Sequence, residues 1–127
     1  MRELLSSLHT SLTWVAGIVT TLVIIRLVAG MVLKQAYARW TQRMMLAFVG
    51  LMTLQWAVGI LLFLVRGDFD RINFWSHALM MTFAVGVAHQ YRRWTTAEDN
   101  IRYRTSLLLV SAVLLIVLVG VILLFTP

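Results

Sequence analysis

Four long apolar runs, none interrupted by proline, restrict this chain more than any other feature. They extend from about Leu8 to Leu33, from Met44 to Val65, from about Phe74 to Tyr91 and from Thr105 to Phe125. A helix needs about 20 mostly apolar residues, rising 1.5 Å apiece, to cross roughly 30 Å of hydrocarbon, and the four runs meet that length. The only proline is the C-terminal residue, so no run carries the usual helix breaker. Composition agrees: 61% of the 127 residues are hydrophobic and 13% are charged, against about a quarter charged in a soluble domain. Links of roughly ten to fifteen residues leave no room for a soluble domain and make sequence neighbours antiparallel neighbours in space. The expected fold is all-α: one integral membrane domain over residues 1–127, folded as a four-helix up-down bundle. The first run is too long for the h-region of a signal peptide and is expected to remain as a helix.

The cations orient the bundle. Lys34, Arg39 and Arg43 lie between the first two runs, and Arg92, Arg93, Arg102 and Arg104 flank the last link, diluted by Glu98 and Asp99. The middle link balances Arg66 and Arg71 against Asp68 and Asp70, and the N-terminus balances Arg2 against Glu3. Lys and Arg are retained on the cytoplasmic side, which predicts both termini outside a bacterial cytoplasmic (inner) membrane that the chain crosses several times. The excess of +6 is then an orienting charge, and nucleic acid is not an expected partner. Trp14, Trp40, Trp75 and Trp94 fall near the predicted helix ends, as an interfacial aromatic belt requires.

What the spans lack excludes several chemistries. All five carboxylates lie in termini or links, so the spans offer no di-iron carboxylate site and no intramembrane acid for a proton pump. A Ser or Thr nucleophile would have no orienting acid. Without cysteine there are no disulfides, thiolate metal sites or iron–sulfur clusters. Arg26 and Gln55 are polar groups inside the runs. The expectation for Arg26 is to snorkel to the cytoplasmic headgroups, with pairing to a partner or a propionate as the alternative. Gln55 is expected to make an interhelical hydrogen bond beside Gly59.

Three histidines remain. His9 opens the first run and His77 opens the third, so in an up-down bundle both lie near the outer surface. His89 closes the third run twelve residues after His77, about 18 Å along the axis, too far for the three to share a zinc ion. At 100° per residue, His9, Thr13, Ala16 and Thr20 share a face with Gly17 at its edge, and His77, Met81, Ala84 and Ala88 share another. Aligning His9 on His77 sets Ala16 on Ala84 and Val19 on Val87, a hint of a duplicated helical hairpin. Two imidazoles facing each other above small residues are how a bundle clamps a haem, which makes His9 and His77 the candidate iron ligands. Small residues at this spacing also serve plain helix packing, and that reading stays open. His89, on another side of its helix, is expected to pack or hydrogen-bond; a second haem there would need another chain, Met44 or Met45.

These features resemble one four-helix half of the haem A synthase family. The likeness is carried by His9 at the outer start of one span, Leu54-Gln55 followed by Gly59 in the next, and His77 at the outer start of the third. It covers the first three helices. In that family each half pairs two histidines across a bundle, with a Leu-Gln-x-x-Leu-Gly stretch between them. Here Val58 takes the leucine's place, Thr10 follows His9 where the family usually has Arg, and the family's redox cysteines are missing. The resemblance therefore implies haem binding more than methyl oxidation. Cytochrome b561-like bundles are similar in style, although the histidine spacing does not match a two-haem layout.

The expected function is a small membrane cytochrome holding one haem b by bis-His ligation. Thr13 and Gln55 join His9 and His77 as cofactor-binding residues. It would transfer electrons as a subunit of a respiratory or photosynthetic complex, with membrane lipid, other membrane subunits or a homodimer partner around it and a periplasmic electron carrier outside. A cofactor-free structural subunit or assembly factor is the alternative. Its support is the almost uniformly aliphatic last helix, read as having no functional face. A haem-modifying homodimer is the third reading.

Overall fold

The computed structural model describes residues 1–126. Its four α-helices are α1 (Arg2–Val32), α2 (Arg39–Arg66), α3 (Ile72–Ala88) and α4 (Asp99–Phe125), with a 3₁₀ segment, His89–Trp94, continuing α3. No strand occurs among the described residues. Helices α1, α2 and α4 are long and apolar enough to cross a membrane. At 17 residues, α3 is shorter than the third run because the coil tightens at His89. The other helices extend past their apolar runs into the polar links, where Arg2, Arg39 and Asp99 begin them.

The helices turn their small and polar residues inward. On α1 the buried residues include Ala16, Thr20, Val23, Leu27 and Gly30, a three-and-four spacing that makes a single stripe. Large apolar residues occupy the opposite face, where Trp14 is 74% exposed and Ile18, Leu22 and Ile25 are also open. On α4 the inward residues include Tyr103, Ser106, Val110, Val113 and Gly120, while Leu108, Leu115 and Ile122 face out. Lipid tails are as apolar as leucine, so close backbone approach and hydrogen bonds hold such helices together, and small residues belong inside.

Helix α1 packs along α2 and α3 along α4, and the two hairpins join through α1–α4 and α2–α3, which leaves α1 and α3 diagonal. Neighbours meet start to end. The imidazole of His9, early in α1, lies against Gly59, late in α2, while Asn73, at the start of α3, donates from Nδ2 to the Leu124 carbonyl of α4 at 3.3 Å. Gly67 closes α2 in the left-handed region (φ 71°), its N–H donating to the Phe63 carbonyl at 3.2 Å. Phe63 then meets Phe69 and Trp75 edge-on, and Trp75 Nε1 donates to the Phe69 carbonyl, which sets the α2–α3 turn.

The two ends of the bundle are filled differently. Toward the α1–α2 and α3–α4 links, Val23, Leu27, Met45, Phe48, Tyr103 and Val110 form a solid core. Toward the termini, small side chains leave a cavity.

Candidate functional site

The cavity has a volume of about 580 Å³, within the usual range for small-molecule and cofactor sites. Ala16, Gly17 and Thr20 of α1, Gly59 of α2 and Ala84 of α3 make room for it, with Val113 and Met52 at its deep end. His9 and His77 both line it, as do Thr13 and Gln55, so all four residues singled out by the sequence meet at one cavity. At its mouth the lining includes Ser6, Thr10 and Arg66, which also border a polar surface depression with Arg2 and Glu3. There Arg66 pairs with Asp68 at 3.2 Å and lies over the Phe74 ring.

His77 is held in one tautomer. Its Nδ1 lies 3.1 Å from the Gly120 carbonyl oxygen of α4. A carbonyl only accepts, so Nδ1 carries the proton, and in the neutral ring the lone pair is on Nε2. A ring N–H given to a backbone carbonyl is the usual support of a metal-ligating histidine, because it fixes the tautomer and the ring plane. The aliphatic α4 thus meets His77 through its backbone, while the missing side chain at Gly120 makes room for Met81 and Met80, which a Cβ there would meet at 2.5 and 3.0 Å. An isolated glycine in an aliphatic helix was the available signal.

His9 is seated differently. A Cβ built on Gly59 would fall 2.9 Å from its Cε1 and 3.4 Å from its Nδ1, so a larger residue at 59 would push the ring away. Each candidate ligand thus rests on a glycine of the helix that follows it. The His9 Nδ1 atom is buried with no hydrogen-bond partner, and so is Gln55 Oε1. Leaving such an atom unpaired costs about 1–3 kcal/mol, which stable folds seldom tolerate away from a functional site.

Gln55 and Thr13 act on the His9 backbone rather than its ring. Gln55 Nε2 donates to the His9 carbonyl at 2.9 Å and to Thr13 Oγ1 at 2.6 Å, and Thr13 Oγ1 donates to the same carbonyl at 2.9 Å. The Thr13 proton is therefore already committed, which fixes the Gln55 amide with its nitrogen toward α1. This is the interhelical bond expected of Gln55, and it ties α2 to the first turns of α1.

His89 stands apart, with Nε2 3.0 Å from Thr53 Oγ1. That hydroxyl gives its proton to the Val49 carbonyl, so His89 is the donor. Met45 is buried in the solid core. The Arg26 guanidinium is held at the link end by Thr41, Gln35 and Tyr103. Among the described residues no group of three His, Cys, Asp or Glu converges on one point. No family model, curated protein or solved structure matches the chain.

Proposed function

We propose that the protein is a small membrane cytochrome, with His9 and His77 holding one haem b between diagonal helices. The observation that carries this reading is the shared cavity: both imidazoles line one mainly apolar space, and the His77 Nδ1–H is given to the Gly120 carbonyl. The residues fit the group. The donors are two imidazoles lining one cavity, and the small residues of α1 and α3 leave space for a flat macrocycle. When bound, haem would supply one-electron exchange at iron, and two imidazoles, those of His9 and His77, would hold it, which suits electron transfer over oxygen binding.

The protein's own groups have separable tasks. His77 is oriented by Gly120. His9 is positioned by Gly59 against its ring and by Gln55 and Thr13 at its backbone. Arg66, Ser6 and Thr10 at the mouth would receive the carboxylates of the porphyrin. The apolar lining excludes water, which is one of the levers on the potential. The resemblance to half of the haem A synthase family points the same way.

In this reading the helices cross a bacterial inner membrane four times, with both termini outside. The haem then lies within reach of a periplasmic electron carrier, and the wide aliphatic exterior meets lipid, other membrane subunits or a second copy of the chain. The natural absence of cysteine gives a direct test of topology. Single variants S7C and T96C should be labelled from opposite sides of sealed vesicles by an impermeant maleimide; labelling from one side would overturn the crossing.

An optical spectrum tests the cofactor. Protein made with ample haem should show a Soret band and sharp α and β bands on dithionite reduction. Both His9→Ala and His77→Ala should lose the six-coordinate low-spin signature. A colourless wild-type preparation would overturn the cytochrome and leave the cofactor-free subunit, while a modified haem in its extracts would favour the haem-modifying dimer.

A further inference from the structure

We propose that the link end of the bundle carries a binding site for one acidic phospholipid headgroup, built on Arg26 and Arg102. This goes beyond the haem reading and requires only that the helices lie in a membrane.

The charge is divided unevenly along the molecule. The terminal end balances Arg2, Arg66 and Arg71 against Glu3, Asp68 and Asp70, so eight of the eleven cations, and the whole of the +6 excess, belong to the link end. Among the described residues the one ion pair is Arg66–Asp68, at the terminal end. At the link end two guanidinium groups are fixed by neutral partners alone. Arg26 Nε donates to Thr41 Oγ1 at 3.1 Å, its Nη2 donates to the Tyr103 hydroxyl at 2.9 Å, and its Nη1 donates to Gln35 Oε1. Arg102 Nη2 donates to Gln42 Oε1 at 3.2 Å.

The same two arginines bracket one pair of aromatic rings. The Arg102 guanidinium sits 3.9 Å above Tyr37, Arg26 lies 5.8 Å from the centre of Tyr103, and the two rings are 4.9 Å apart. Arg26 also stacks over Trp40 at 4.9 Å. An exposed tryptophan in this position marks the headgroup layer of a bilayer, so the charge lies at the depth of lipid phosphates. Neutral hydrogen bonds and ring faces hold these cations in place but do not neutralise them, and each guanidinium, with five N–H donors, keeps some free. A planar guanidinium matches a phosphate oxygen pair in a bidentate fashion. The two carboxylates of the link end, Glu98 and Asp99, make no ion pair with either arginine. The site therefore selects a headgroup with net negative charge, such as phosphatidylglycerol, over zwitterionic phosphatidylcholine.

The test uses the whole protein, delipidated and returned to nanodiscs of equal phosphatidylglycerol and phosphatidylcholine, then released for native mass spectrometry. Wild type should retain one phosphatidylglycerol at least tenfold more often than phosphatidylcholine. Arg102→Gln, which disturbs only contacts with Gln42 and Tyr37, and Arg26→Gln should each remove most of that preference. Arg26→Lys should fall between, and Arg71→Gln at the other end should change nothing. Thermal melts confirm that each variant is folded. Equal retention of the two lipids, or full preference in both glutamine variants, would overturn the site. Displacement of the lipid by millimolar inorganic phosphate would overturn its assignment to lipid.

Discussion

The two halves of this bundle use one backbone arrangement for opposite ends. Near the links, Leu27, Phe48, Tyr103 and Val110 are each at most 1% exposed and fill the interior. Near the termini, the corresponding places on the helices carry Ala16, Gly17, Thr20 and Gly59, and a cavity bordered by two histidines takes the place of side chains. Glycine shows the contrast most directly. A methyl group on Gly30 would run into the Tyr103 ring, whereas one on Gly17 meets nothing within 4 Å. Gly30 in the solid half admits a neighbour and Gly17 in the hollow half keeps a volume clear, while Gly59 gives its space to the His9 ring.

That contrast can be broken from either side. Phe48→Ala should have the largest effect on stability, about 3–5 kcal/mol, because it opens a void in a close-packed core; chemical denaturation in detergent reads it. Gly30→Ala should cost about 1–3 kcal/mol by overpacking against Tyr103. Its counterpart, Gly17→Leu, should leave the melting transition within the range of a neutral surface change, about 0.5 kcal/mol, yet abolish the haem spectrum. If Gly17→Leu instead destabilised the protein as much as Gly30→Ala does, the two halves would not differ as described. Thr13→Val, which removes an acceptor from Gln55, should cost about 0.6 kcal/mol, an average value for hydrogen bonds between membrane helices; a double-mutant cycle with Gln55→Leu measures it.

The smallest effect concerns pH at the solid end. Burial pushes the Tyr37 phenol above its ordinary value, opposed by its contact with Ser106 and by the Arg102 charge. The neutral phenol is then favoured in the folded state. Its contribution to stability is complete below the ordinary tyrosine range, near pH 10, and is lost as pH rises through the elevated folded value. Melting temperatures between pH 9 and 11 should fall more steeply for wild type than for Tyr37→Phe. Parallel slopes would contradict the shift.

Much of this was legible in the chain because it is periodic. The runs announced the helices, and the shared faces of His9 with Ala16 and of His77 with Ala84 foretold residues that now line one cavity. What stayed hidden depends on the register between distant helices. Nothing local ties Arg26 to Tyr103, 77 residues away, or aims His77 at a backbone carbonyl of α4. The tightening of the coil at His89 was also invisible, since Phe74 to Tyr91 reads as one even apolar run. A cavity is harder still to foresee, because it is a difference between the space four helices enclose and the side chains they supply.

That tightening has a geometric consequence. As an α-helix, the 17 residues of α3 would reach about 26 Å, short of a hydrocarbon layer of roughly 30 Å. The backbone does not stop there: Ala88 keeps helical angles and the six residues from His89 to Trp94 continue as 3₁₀ coil. At about 2.0 Å per residue they add about 12 Å, bringing the rod to roughly 38 Å, close to the 27-residue α4 at about 40 Å. A thinner, faster-climbing winding thus lets the third rod, with fewer residues, match the length of the helix it packs along.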